Sequence, residues 1–367
     1  MAHPGSLPNR CGPQAVAGRS AVLSAIRQRD ADGTRDSDST GGRRKHRPRP
    51  SSPSSPVTED PGVRSGAVTS SSSARESRAP AGVVSLTTDY GLADGFVAAC
   101  HGVIARLAPA LRIIDVTHLV PPGDVRRGGA VLAQTVPHLP LGVHVAVVDP
   151  GVGTRRRGVA LDTPAGLLVG PDNGLLLDAA GALGGITGAV ELTNPRWLTP
   201  RVSATFHGRD VFAPVAARLA LGAPLAEAGR AVDPASLVRL PEPLVRRLPD
   251  GFVAEVLTVD GFGNVQLAAR SELLDPLPAR VRVGPVAGDP AAADSPAGIG
   301  GWEREAVHGR TFGDAPVGAL VAHADSAGRV ALSVNGGHAA ALLAVVPGTL
   351  LRVRGSGVVG DAPGQYG

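Results

Sequence analysis

Apolar and polar positions follow two rhythms along the chain. Short apolar runs bounded by turn residues occur at Val83-Val84-Ser85-Leu86, Arg112-Ile113-Ile114-Asp115-Val116 and Val143–Val148, with shorter ones at Gly158–Leu161, Leu167–Gly170 and Ala189–Leu192. Runs of this length predict buried strands. Between them, Phe96, Val97, Cys100, Val103, Ile104 and Leu107 recur at helical spacing, which predicts a helix over 94–107. Further helices are predicted over 124–136 and 209–221. Strand–helix alternation implies an α/β domain over 81–245 with a mainly parallel, Rossmann-like sheet. Pro241-Glu242-Pro243 and Pro249-Asp250-Gly251 break that rhythm. Beyond them come short strands at 252–259, 265–267, 280–283, 319–323, 330–334 and 350–353, interrupted by an Ala/Gly/Pro loop around 284–301. They predict a small C-terminal β-barrel domain over 250–356.

Composition changes this picture at the ends. Residues 1–80 are rich in Ser, Pro, Arg and Gly and carry 13 Lys and Arg against 7 Asp and Glu, a net of +6. The whole chain carries +4, so the remainder stands at −2. A segment with so little apolar content cannot offset its ordering entropy, and a disordered basic tail is predicted over 1–80, with a flexible C-terminus over 357–367. The tail reads as a plain extension, as an arm touching nucleic acid or acidic lipid, or as an artefact of start-site choice, with a non-Met initiation codon nearer Val83. Ala21–Ile26 is too short for a secretory signal and is followed by Arg27 and Arg29. No window approaches the ~18 apolar residues of a membrane span. The folded part, near neutral, shows no nucleic-acid surface. A cytoplasmic protein is expected, with neither membrane nor nucleic acid as partner. Two cysteines exclude a disulfide framework and a Cys-rich zinc site.

Candidate chemistry gathers at strand ends, where open α/β sheets bind ligands. Thr87-Thr88-Asp89-Tyr90-Gly91, Asp149-Pro150-Gly151-Val152-Gly153 with Arg155-Arg156-Arg157, and Gly170-Pro171-Asp172-Asn173-Gly174 each follow an apolar run. Thr205-Phe206-His207-Gly208-Arg209-Asp210 opens a helix. The β domain adds Asp260-Gly261-Phe262-Gly263-Asn264 and Ser333-Val334-Asn335-Gly336-Gly337-His338. Singly, each has a plain reading: Asp89 and Asp172-Asn173-Gly174 as turns, the arginines as a solvated charged turn, His207 as a structural histidine. Gly151-Val152-Gly153 lacks the Gly-Lys-Ser/Thr ending of a phosphate loop. Asp89, Asp149 and His207 have no metal-ligand spacing, and no metal is expected. Together, a carboxylate, a cation and an imidazole near one strand end would suit acid–base chemistry on a ligand gripped between domains.

In order and combination these segments resemble the S-adenosyl-L-methionine (SAM) hydroxide adenosyltransferases, the adenosine-forming SAM hydrolases, which are related to bacterial fluorinase and chlorinase. The motifs are Thr88-Asp89-Tyr90-Gly91, Asp115-Val116-Thr117-His118, Val147-Val148-Asp149-Pro150-Gly151-Val152-Gly153, Gly170-Pro171-Asp172-Asn173-Gly174, Phe206-His207-Gly208-Arg209-Asp210, Phe262-Gly263-Asn264 and Asn335-Gly336-Gly337. The resemblance implies hydrolysis of SAM to adenosine and methionine, with no cofactor because SAM is the substrate, in a homotrimer with sites between subunits. It implies a catalytic set of Asp149, Arg156 and His207. It places Asp89 at the ribose, Asp260 at the methionine amino group, Phe262 and Asn264 around the adenine, and Asn335 at the methionine carboxylate. Tyr90, Asn173 and Ser333 complete the expected substrate contacts. Two departures count against halogenation: Gly123 stands where the halogenating relatives have tryptophan, and Gly336 where they have arginine. The alternatives are a SAM-dependent halogenase and a non-catalytic SAM or adenosine sensor.

Overall fold

A computed structural model describes residues 81–286 and 302–356. The expected tail over 1–80, most of the 284–301 loop and the C-terminus over 357–367 lie outside the described residues. In chain order the first part contains β1 (Val83–Thr88), α1 (Phe96–Leu107), β2 (Arg112–Thr117), α2 (Val125–Thr135), β3 (Val143–Val147), β4 (Gly158–Thr163), β5 (Gly166–Pro171), α3 (Leu177–Ala182), β6 (Gly188–Leu192), α4 (Ala213–Ala220) and β7 (Gly229–Ala231). Its strands form one sheet in the order β2-β1-β3-β5-β4-β6-β7. The β2-β1-β3-β5 portion is parallel. The predicted strands at 158–161 and 189–192 join it as an antiparallel flank.

Both faces of this sheet are covered. Along β3 and the residue after it, Val145 and Val147 enter one core with Leu86, Ile104 and Phe212. Ala146 and Val148 enter the other with Leu132, Leu168 and Leu175. The two-residue period of a strand sends neighbours to opposite faces, so a continuous apolar run marks a strand buried on both sides. α1 and α4 lie on the first face and α2 and α3 on the second. Asp124 caps α2 by accepting the Arg127 amide at 2.9 Å, so this helix starts where the sequence predicts. The predicted 209–221 helix opens with a wide turn over Gly208–Phe212 before α4 begins.

The second part contains β8 (Val245–Leu248), β9 (Gly251–Val259), β10 (Val265–Arg270), β11 (Arg280–Pro285), β12 (Arg304–His308), β13 (Leu320–Ala324), β14 (Arg329–Val334), α5 (Ala339–Leu343) and β15 (Leu350–Gly355). Strands run β10-β14-β13-β12-β11-β15-β9, and β9 pairs again with β10, closing a seven-stranded barrel with β8 beside β9. Alternate residues Phe252, Ala254 and Val256 fill its interior with Val281, Val283, Leu332, Leu351 and Val353. α2 touches the barrel, where Gln134 Nε2 donates to Gln266 Oε1 at 2.9 Å. Among the described residues no helix is long and apolar enough to cross a membrane.

Candidate active site

The parallel portion of the sheet reverses its winding at β1. From β1 the chain crosses to β2 on one side, then returns to place β3 on the other. A crevice opens beyond the carboxyl ends of strands at such a switch point. Asp89 and Tyr90 follow β1 there, and Asp149 follows β3. A cavity of about 240 Å³ lies at this place, lined by Asp89, Tyr90, Gly123, Asp149, Thr205 and His207 among others.

Arg156 links the two polar ends of the cavity. Its Nε donates to Asp149 Oδ1 at 3.1 Å, and its Nη2 contacts Asp149 Oδ2 to complete a forked pair. Nη2 also lies 3.0 Å from His207 Nδ1, and Nη1 donates to the Arg157 carbonyl at 2.9 Å. Only 5% of the Asp149 side chain and 9% of Arg156 is exposed. Phe212 supports the guanidinium from below, 5.5 Å from ring centre to Cζ. Burial raises the Asp149 carboxyl above its usual range, and Arg156 offsets this only in part. Burial lowers His207, and the neighbouring Arg156 charge lowers it further. A guanidinium can only donate, so Nδ1 of His207 is its acceptor. The neutral imidazole therefore carries its proton on Nε2, and the pair of charges beside it is balanced.

Local folding explains these positions. Gly153 adopts φ +77°, and a Cβ there would stand 2.3 Å from the Ala204 carbonyl, so the turn after Asp149 is pressed against the loop leading to His207. That loop is tied by Asp210, which accepts the Ser203 amide at 2.8 Å and pairs with Arg209. Gly208 lies under Tyr90, whose hydroxyl would be 2.0 Å from any Cβ at that position. Tyr90, Phe96 and Phe206 pack ring to ring at 5.2–6.0 Å. Asp89 Oδ2 accepts the Gly123 amide at 2.9 Å. The sequence reading treats Gly123 only as a missing tryptophan. The Pro121-Pro122-Gly123 turn, with φ +75° at the glycine, was the available sign that a backbone amide is presented there. Thr205, at the start of the His207 segment, also lines the cavity.

Other expected site residues lie elsewhere. Asn173 is absent from the lining of this cavity. Its Nδ2 donates to the Val148 carbonyl at 2.9 Å and its Oδ1 accepts the Leu175 amide at 3.2 Å, so it braces the strand end. Arg157 pairs with Asp172, and Arg155 is exposed, so the three successive arginines point to three environments. Asp260, Asn264 and Ser333 line a second cavity of about 620 Å³ between α2 and the barrel. There Asp260 accepts the amides of Phe262 and Asn264, both at 2.9 Å, and Ser333 bonds His323 at 2.9 Å. Phe262 is 81% exposed. Asn335 donates to the Ala315 carbonyl at 2.8 Å. Within one chain, then, the expected site residues divide between two surfaces.

Comparison with known proteins agrees with both halves of the fold. Residues 84–229 match the SAM hydroxide adenosyltransferase N-terminal domain, and residues 254–352 match the C-terminal domain. The (R)-S-adenosyl-L-methionine hydrolase of Salinispora arenicola (strain CNS-205) is 70% identical over 270 residues, 74% of this chain and 97% of that protein. A fluorinase of Actinoplanes sp. (strain N902-109) is 30% identical over 209 residues, 50% of this chain and 70% of the fluorinase. The crystal structure of an uncharacterized conserved protein from Thermotoga maritima superposes with a TM-score of 0.64 at 33% identity, covering 74% of this chain and 99% of that one. The chain belongs to the SAM hydroxide adenosyltransferase family.

Proposed function

We propose that the protein cleaves S-adenosyl-L-methionine with water, giving adenosine and L-methionine, and that it takes the (R) sulfonium epimer named for its Salinispora relative. The observation that carries this reading is the Asp149–Arg156–His207 network, in which Arg156 ties together Asp149 and His207, the two members that line the cavity beside Asp89. Water attacks the ribose C5′, the C5′–S bond breaks, and its electron pair returns to sulfur as the thioether of methionine. The water proton passes to Asp149 and on to solvent. A carboxylate oxygen that accepts one Arg156 bond still has a lone pair for the water, and its raised affinity for protons makes it a better base. His207 donates from Nε2 and orients the oxygen, and Arg156 holds both partners in place. The sulfonium charge disappears as the bond breaks, so exclusion of bulk water favours the step. SAM is the substrate, and this scheme calls on no metal and no cofactor.

Balanced charges argue for water over halide as the nucleophile. Asp149 cancels Arg156, so the cavity offers an anion no net positive charge, and Asp89 adds a further carboxylate. We read the second set of residues, Asp260, Phe262, Asn264, Ser333 and Asn335, as the methionine and adenine contacts that a neighbouring subunit supplies in a homotrimer. The division of site residues between two surfaces of one chain supports this reading. A cytoplasmic location suits a substrate made inside the cell. The test is incubation of purified protein with SAM in the presence and absence of fluoride or chloride, with chromatographic detection. Adenosine and methionine in equal amounts are expected. A 5′-halogenated adenosine would replace this reading with halogenation, and binding of SAM without product would replace it with a sensor.

A further inference from the structure

A second polar cluster stands behind the substrate loop and takes no part in the proposed reaction. His101 lies on α1, Asp115 on β2, and His118 just after β2. His101 Nε2 is 2.9 Å and His118 Nε2 is 3.0 Å from the same oxygen of Asp115, Oδ1. All three potential ligand atoms fall within 4.8 Å of one another. His118 is buried, with 3% of its side chain exposed, yet its Nε2 makes no well-directed hydrogen bond. Its other ring nitrogen, Nδ1, bonds the Thr88 hydroxyl at 2.8 Å. Holding Nδ1 in this way fixes the ring and aims Nε2 at the cluster, as outer partners of metal-bound histidines do. Two imidazole nitrogens crowd one carboxylate oxygen, and an ion between them would engage all three.

We propose that His101, Asp115 and His118 form a binding site for a divalent transition-metal ion of the zinc class. Two neutral imidazoles and one carboxylate suit zinc, cobalt or nickel; magnesium and calcium prefer all-oxygen shells. His101 and Asp115 are partly exposed, so an ion can enter from solvent and keep water at its remaining positions. Asp115 and His118 share one four-residue stretch at the end of β2 and the third ligand, His101, comes from α1, so no single motif holds the set. The site touches the substrate loop through its framework: besides the Thr88 bond, the His118 carbonyl accepts the Gly91 amide at 2.7 Å. A bound ion would therefore stiffen the segment carrying Asp89 and Tyr90 without entering the chemistry.

The test uses the full chain without an affinity tag, stripped with a chelator, then titrated with Co²⁺ by visible absorption and with Zn²⁺ by calorimetry. One equivalent is expected to bind, with d–d bands in the cobalt protein and a rise in melting temperature. His101→Ala, a change at a partly exposed position, is expected to weaken binding at least ~10-fold and abolish that rise, while the metal-free protein melts as before. Asp115→Asn is expected to weaken binding similarly. Absence of saturable binding of either ion overturns the proposal. So does binding that is unchanged in His101→Ala, which would locate the ion at other histidines. These readouts stand whether or not the protein hydrolyses SAM.

Discussion

Asp149 serves two purposes, and this decides how its loss would be read. Its carboxylate meets the proposed water and also neutralises the buried Arg156. Breaking a buried ion pair from one side typically costs about 3–5 kcal/mol. Asp149→Asn is therefore expected to lose hydrolysis and also to melt at lower temperature. His207→Ala leaves the Asp149–Arg156 fork intact and is expected to cut turnover at least ~10²-fold with melting and SAM affinity near those of the unaltered protein. Turnover assays beside calorimetry check both, and an active His207→Ala protein would remove the histidine from the mechanism. A different histidine sets an acid limit on the fold. His144 is buried, bonds Ser85 through Nδ1 at 2.9 Å, and is pushed down to about 4 by loss of solvent. Between that value and the ~6.5 of an unfolded histidine, the unfolded chain binds the extra proton, so stability rises with pH through this window and is lost as pH falls. The shift corresponds to roughly 3 kcal/mol. Urea unfolding at pH 4.5 and 6.5 is expected to show this slope, and His144→Gln to flatten it.

At the level of elements, the turn after β3 does the positioning. Gly153→Ala would force a side chain into a left-handed backbone and against the Ala204 carbonyl. A left-handed residue alone costs about 1–2 kcal/mol, and the contact adds to it. Loss of at least about 2 kcal/mol in chemical denaturation is expected, with turnover falling because Asp149 and the His207 loop move apart. Melting and turnover both unchanged would mean that this turn does not set the spacing. The turn was legible in the sequence because an apolar strand, buried on both faces, runs straight into Asp149-Pro150-Gly151. Other elements were hidden for definite reasons. β12 reads Arg-Glu-Ala-Val-His, and only Ala306 is buried, so no apolar rhythm announces it. α5 has five residues, too few for a helical period, and its start relies on His338 accepting the Ala341 amide. β7 and β8 are three and four residues long and largely exposed. Asn173 follows a strand end, and there its amide ties β3 to the next turn, a bracing contact that no motif announces.

At the level of the whole molecule, α/β layer and closed barrel each own part of the expected site. No barrel residue lines the Asp149 cavity, and Asp260 lies on the other one. If neighbouring chains complete one another, two defective chains can share one sound site. Co-expressed Asp149→Asn and Asp260→Ala proteins are expected to form mixed assemblies with part of the activity restored, although each alone is inactive. Mixed assemblies as inactive as either parent would confine the site to a single chain. The sequence made both sets of residues visible but not their separation, because distance across a fold is set by the sheet order and the barrel closure, neither of which is written in any one motif.

The forked pairing of Arg156 with Asp149 also bears on how the ligand arrives and departs. With those two charges cancelled and His207 neutral, Asp89 is the one charged lining group left uncompensated by a cation in that cavity. SAM carries a net charge of about +1 at neutral pH, and one opposite charge ~10 Å away in water attracts it by only about 0.4 kcal/mol. Encounter is then governed by diffusion and fit, with little electrostatic steering, so added salt should slow it by less than about twofold. Adenosine is neutral and methionine a zwitterion, so that long-range attraction vanishes once the sulfonium is gone, and only short-range contacts, such as those expected between the ribose and Asp89, hold what the cavity has made. Rapid-mixing measurements of SAM association and adenosine release across a salt series would show a small slope for entry and none for exit.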